Sequence, residues 1–303
     1  MRIRCTHKRL FILSCLVAAN MGLGHAAWAE TAGKRAPDPA RAAGMVAHKA
    51  LYKIKMVKRK AGTLVSDVTG QMLYEWQPYC DAWISNTRFN MTYDYMETPP
   101  LHLTSDFTFH ETFDGKGLTF STQRKKDGNL FEEFRGSAKN ENGTIKAVYS
   151  IPKGLEHDLP SGTLFPVSHT LEVLKKAKAG EHIFNAMIFD GSDDQGAVQL
   201  NTFIGKEADI TPYLKDSPEF DKSLVNTKAW NLRLAYFPEN NEENIPEYEM
   251  NVVFHENGVI SHMLIEYHDF SVEQTLVAIE PLGDACDNTS ADGQKGKDKP
   301  EKP

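Results

Sequence analysis

Thr87-Arg88-Phe89-Asn90-Met91-Thr92-Tyr93-Asp94-Tyr95 places larger or less polar side chains at the odd positions and polar ones between them. A period of two fits an extended strand with one face buried and one wet, and does not fit a helix. Trp230, Leu232, Leu234 and Tyr236 repeat the pattern against Asn231, Arg233 and Ala235. Between such runs stand Asp114-Gly115-Lys116-Gly117, Asp127-Gly128, Asn142-Gly143 and Asn257-Gly258. These residues accept the positive φ that tight hairpins demand, so neighbouring strands are expected to pair antiparallel and in sequence. Runs bounded by turn signals number about fourteen between Val46 and Pro281. A sheet that wide accumulates too much twist to stay flat, so it must curl, close or split into two layers.

One segment carries the helical period instead. Pro166 to Ala179 has Val167, Leu171, Leu174 and Ala177 on one stripe, lysines near its end and Gly180 as its stop. The expected fold is therefore mainly β, a large curved antiparallel sheet with one packed α-helix covering part of it. His169 and Glu172 are three apart on that helix, and a solvated or cap-like role is expected for both.

The ends of the chain are unlike its body. Arg2, Arg4, Lys8 and Arg9, then the apolar run Leu10 to Ala19, then Ala27-Trp28-Ala29 have the layout of a secretory signal peptide over residues 1–29. Glu30 to Gly44 reads as an unstructured leader, and Asp287 to Pro303 as a charged tail with no large apolar residue. The folded domain is expected over residues 45–286. Removing the signal leaves 30 basic against 41 acidic residues, a net charge of −11. That balance argues against nucleic acid as a partner. No later segment approaches the roughly 18 uninterrupted apolar residues of a spanning helix.

Only Cys80 and Cys286 survive signal removal, and two thiols in an oxidising compartment are expected to pair. Separate free thiols are the alternative, and no C-x-x-C motif suggests redox catalysis. The nine remaining histidines show neither HExxH nor H-x-H spacing, so no metal site and no cofactor is expected. Asp190-Gly191-Ser192-Asp193-Asp194-Gln195-Gly196 resembles half of a calcium loop, but Gln195 and Asn201 stand where a glycine and a bidentate glutamate belong. There is no G-x-S-x-G elbow. Trp76, Tyr79, Trp83, Phe89 and Tyr93 gather around Cys80, either as core or as the lining of a groove.

Three motifs, in order, carry a resemblance. Trp76-Gln77-Pro78-Tyr79-Cys80-Asp81-Ala82-Trp83, then Leu159-Pro160-Ser161-Gly162-Thr163 leading to His169, then Phe189-Asp190-Gly191, with the late Cys286, resemble the EipB family of cell-envelope integrity proteins. The resemblance spans about Met45 to Cys286. It implies a periplasmic protein of Gram-negative bacteria, folded as a β-spiral with one helix and bridged from a strand-borne cysteine to one near the C-terminus. Cys80 and Cys286 match those two positions. It supplies no catalytic residues. The expected function is non-catalytic maintenance of the envelope through a protein, peptide or lipid partner on the curved sheet. A lipid or lipoprotein carrier with a hydrophobic cavity is the alternative, and an outer-membrane barrel or a hydrolase the more distant ones.

Overall fold

The computed structural model describes residues 37–213, 221–238 and 245–283; the signal segment, Cys286 and the charged tail lie outside them. Fourteen strands form the body. The first eight are β1 (His48–Arg59), β2 (Val65–Tyr79), β3 (Ala82–Tyr95), β4 (Leu101–Thr112), β5 (Gly117–Lys126), β6 (Asn129–Glu141), β7 (Thr144–Ile151) and β8 (Glu156–Leu159). The remaining six are β9 (Ile183–Ile188), β10 (Val198–Glu207), β11 (Ala229–Phe237), β12 (Tyr248–His255), β13 (Ile260–Tyr267) and β14 (Phe270–Pro281). Helices are α1 (Pro39–Ala42), α2 (Pro166–Ala179) and α3 (Lys222–Val225).

All fourteen strands belong to one antiparallel sheet in the order β8 through β1, then β14 back to β9. Two meanders thus meet where β1 pairs β14, with His48 opposite Pro281. The sheet does not close: β8 and β9 are its edges. Register shifts within β1–β14, β6–β7 and β12–β13 add bend and twist. The sheet curls until Leu164, just past β8, forms an isolated bridge to Ile188 at the end of β9.

Turn chemistry behaves as local sterics require. Asp127-Gly128 joins β5 to β6 with φ of 49° and 80°, and Asn142-Gly143 joins β6 to β7 with 55° and 90°. Alternation does the rest. In β1, His48, Ala50, Tyr52 and Ile54 are buried while Lys53 and Lys55 face water. Tyr52, Ile54, Met72, Leu232 and Phe254 share one core with Val173, Leu174 and Ala177, so α2 packs against the inner face of the curl.

The boundaries expected for α2 are the observed ones, with Gly180 in the left-handed conformation at φ 76°. Its start is unusual. The residue before Pro166 is Phe165, whose side chain cannot cap. The cap comes from β4 instead: Val167 N–H donates to Glu111 Oε2 (2.7 Å), and Ser168 donates to Oε1 through N–H (2.9 Å) and Oγ (2.5 Å). A carboxylate at a helix N-terminus also meets the positive end of the macrodipole. Glu111 is fully buried, and burial pushes its carboxyl up to about 7 despite the bonds from Ser168 and Val167.

Two expectations need correction. The leader does not run to Gly44: from Pro37 the chain is folded, with α1 capped by Asp38, which also accepts from Trp83 Nε1 at 3.0 Å, and with Ala40 fully buried. His169 is not solvated. Its ring is buried and stacks on Phe184 at 5.7 Å, whereas Glu172 turns outward to Lys175 at 3.2 Å.

Glu111→Ala leaves the Val167 and Ser168 N–H groups unsatisfied and is expected to lower unfolding free energy by about 2–3 kcal/mol, measured by urea titration. The pH dependence of the cap follows from its raised value. The folded carboxyl binds its proton more tightly than the unfolded one, so this contribution is complete below the unfolded value near 4.5 and is lost as pH rises through about 7. Burial lowers His169 and His255 to about 4, and they act in the opposite sense, losing stability as pH falls from 6.5. The wild-type stability minus that of Glu111→Gln isolates the carboxyl. That difference is expected to fall between pH 5 and 8, and a flat difference would contradict the assignment.

Candidate functional site

Curling a sheet of this width around a single helix leaves space that the helix does not fill. Three adjoining lobes of about 430, 380 and 430 Å³ remain along the inner face, the first two beside α2 and the third lined by sheet and loop residues alone. Met250 of β12 borders all three. The first lies between His169, Thr170 and Val173 of α2 and Leu200, Leu234 and Phe254 of the sheet. The second lies under the start of α2, against Tyr52, Met72, Tyr74 and Trp76. The third runs past Phe89, Met91 and Phe107 toward Tyr248 and Tyr267.

Five of the chain's ten methionines border these lobes: Met45, Met72, Met91, Met250 and Met263. Unbranched thioethers re-pack around different apolar shapes, so this lining suits variable apolar occupants better than one rigid ligand. The tyrosines add hydroxyls without charge. Tyr236 stacks on Tyr248 at 4.4 Å, and burial raises both above the ordinary phenol range. Burial also takes Tyr267 up to about 12 and keeps His169 neutral. Among the described residues His169 Nε2 has no hydrogen-bond partner, and its ring borders the first lobe. Charge is confined to one margin, where Arg124, Asp190, Asp193 and Glu247 stand.

That margin is held by a clasp. The loop joining β9 to β10 offers four successive carbonyls to the far meander. Gly191 O accepts from Thr122 Oγ1 (3.4 Å), Ser192 O from Arg124 Nη2 (3.0 Å), Asp193 O from Tyr149 Oη (2.8 Å) and Asp194 O from His157 Nε2 (2.9 Å). Gly191 has φ 71°, and a Cβ there would come within 2.2 Å of Phe120. The loop therefore ties β10 to β5, β7 and β8 across the open seam. One carboxylate oxygen of Asp190 accepts from Ser192 N–H and one of Asp193 from Gln195 N–H, both at 2.8 Å. Among the described residues no cluster of three or more His, Cys, Asp or Glu side chains is placed to hold a metal.

The structure brings together a Ser–His pair that the sequence separates by six positions across the β12–β13 hairpin. His255 Nε2 lies 2.9 Å from Ser261 Oγ, with Thr227 Oγ1 at 3.0 Å from Nδ1. This is a structural contact rather than a nucleophile and base. Both residues are buried, the third partner is a hydroxyl instead of a carboxylate, and a histidine lowered to about 4 is a weak base at neutral pH.

The aromatic residues around Cys80 divide between both expected roles. Trp83 packs on Phe113 at 4.9 Å in the core, while Trp76 and Phe89 border lobes of the hollow. Cys80 itself occupies the β2–β3 turn at φ 55°. Cys286 lies outside the described residues.

An open, curled antiparallel sheet that carries a helix on its inner face defines a class of barrel-like β proteins. Within that class the chain belongs to the EipB-like family, whose family model matches residues 39–283. It is 30% identical over 267 residues to a Brucella abortus protein named cell envelope integrity protein EipB, covering 88% of this chain and 94% of that one. A crystal structure of a beta-barrel-like protein of a domain of unknown function, also from Brucella abortus, superposes with a TM-score of 0.73 at 29% identity, over 79% of this chain and 99% of that chain. No helix of the described residues is long and apolar enough to cross a membrane.

Proposed function

We propose that this chain works in the periplasm, without catalysis, to maintain the cell envelope by holding an apolar ligand in the hollow between α2 and the curled sheet. The observation that carries the proposal is the lining of that hollow: methionine, aromatic and aliphatic side chains around Met250, with charge only at one margin. An acyl chain or an apolar peptide side chain matches this lining, and a charged small molecule does not. The name of the Brucella relative supports the envelope role. Of the two expected modes, a partner on the sheet surface and a carrier with a cavity, the geometry favours the second.

Met250→Trp fills the point where the three lobes meet and is expected to weaken binding of an apolar fluorescent probe at least about tenfold, while an outward-facing control, Phe203→Trp, leaves it unchanged. Native mass spectrometry of protein isolated from cells is expected to show bound lipid in the wild type and a loss of it in Met250→Trp. A ligand-free wild type that also ignores the probe would contradict the proposal. So would full detergent resistance in cells carrying only Met250→Trp in place of the wild type.

We also propose the Cys80–Cys286 bridge. β2 and β14 end at the same end of the sheet, since His48 pairs with both Trp76 and Pro281, and Leu282 N–H continues to Ala47 O at 2.9 Å. Five residues from Pro281 reach at most roughly 17 Å, enough to cross the two strand spacings to the β2–β3 turn. A left-handed turn position favours Gly or Asn, so a cysteine at φ 55° suggests that its thiol is used. Closing a ring of roughly two hundred residues gives a chain-entropy bound of about 5 kcal/mol. Cys80→Ser is expected to lower the melting temperature and leave the far-UV strand signal intact. Alkylation of both thiols in unreduced protein would refute the bridge.

A further inference from the structure

His169 lies near the start of α2, on the flank of the stripe formed by Val167, Leu171 and Leu174, and only 8% of it is exposed. Its ring stacks on that of Phe184 from β9, with 17° between the planes, and Lys176 Nζ stands over the same phenylalanine at 5.4 Å. The imidazole is therefore held in place by packing, yet its Nε2 has no partner among the described residues. Folded chains pair nearly all of their buried polar atoms. A phenylalanine at position 169 would stack on Phe184 without burying an unpaired polar atom, so packing alone does not account for an imidazole there.

The ring borders the first lobe of the hollow. Thr170, Tyr236 and Met250 border both the first lobe and the second, so the two are neighbours along α2. Met72, Trp76, Phe109 and Met263 line the second. From this we infer that the hollow takes an amphiphile with an uncharged, hydroxyl-bearing head, which the imidazole of His169 hydrogen-bonds in the first lobe while the chain lies in the second. The inference rests on the reading of the hollow as a site for apolar ligands and adds the chemistry of the head.

Two features select an uncharged hydroxyl over a charged group. Burial lowers His169 to about 4, so at neutral pH the ring has no charge and offers one N–H and one lone pair. A hydroxyl donates or accepts, and so meets either nitrogen in either tautomer. A carboxylate only accepts, and it gains an ionic partner only by protonating a ring that burial keeps neutral. The margin of the lobe disfavours an anion further. Asp190, Asp193 and Glu247 stand there against one cation, Arg124, whose guanidinium pairs with Glu132 and donates to Ser192 O at 3.0 Å. An ammonium head only donates, and it leaves the N–H of a neutral imidazole unused.

The test is displacement of the apolar fluorescent probe from the chain from Glu30 onward by dodecanol, dodecyl chloride, dodecanoate and dodecylammonium at neutral pH, each below its aggregation threshold. The wild type is expected to bind the alcohol about fivefold more tightly than the chloride and at least about tenfold more tightly than either ion, both of which still enter by their chains. In His169→Phe the ratio of alcohol to chloride affinity is expected to fall to about one, and in His169→Gln, which keeps a hydrogen-bonding side chain, to stay above about twofold. Nitrogen NMR of the His169 ring in the wild type needs no variant. There the alcohol is expected to shift the ring signals more than the chloride does, and this measurement decides should His169→Phe lose the wild-type circular dichroism spectrum. Equal binding of alcohol and chloride, an ion bound as tightly as the alcohol, or a preference for alcohol that His169→Phe keeps would overturn the inference and leave the hollow a site for apolar chains. Failure of the probe and all four ligands to bind would overturn both.

Discussion

One buried carboxylate decides where the only long helix of the described residues begins. Glu111 projects from β4 into the core and takes up the first free N–H groups of α2, which the preceding Phe165 cannot satisfy. Remove that contact and the start of α2 has buried donors with no acceptor, beside the core formed by Trp76, Trp83, Phe113 and Val167. The helix in turn follows β8 and precedes β9, the two edges of the sheet. Fixing its first turn therefore fixes how the two edges approach each other, and the hollow is what remains between helix and sheet.

The seam between those edges is closed by donors and acceptors rather than by strand pairing. Besides the bridge at Leu164, the Gly191 to Asp194 carbonyls are held by side chains of β5, β7 and β8, much as a bound peptide would be. Side-chain bonds to a loop can open without unzipping a ladder, which would give the proposed apolar ligand a route that a closed barrel lacks. Away from the margin of Arg124, Asp190, Asp193 and Glu247 the lining carries no formal charge, because burial keeps its tyrosines and His169 neutral.

Much of this architecture was legible because it rests on local rules. Asp127-Gly128 and Asn142-Gly143 announce hairpins through backbone sterics alone, and Pro166 and Gly180 bound α2 by the same means. The alternation around Phe89 and Leu232 announces strands on a curved sheet, and its count requires curling. What sequence reading missed is non-local. Glu111 looks like any polar strand residue, since its partner Val167 lies 56 positions away. Asp38 looked like part of a loose leader because Trp83 Nε1, 45 positions on, is invisible from composition. His169 stood beside the apolar stripe of α2, and nothing local reveals that a curled sheet encloses that flank as well. The hollow had a faint signal, the many methionines, which no periodicity rule weighs.

The central claim is that apolar ligands enter the space beside α2 rather than adhere to the sheet's outer surface. Trp76 borders that space, so its fluorescence reports on it directly. With Trp83→Phe and Trp230→Phe substituted in the chain from Glu30 onward and the strand spectrum retained, titration with a spin-labelled fatty acid is predicted to quench Trp76 in a saturable manner. Saturable binding of the same ligand that leaves Trp76 unquenched would contradict the account.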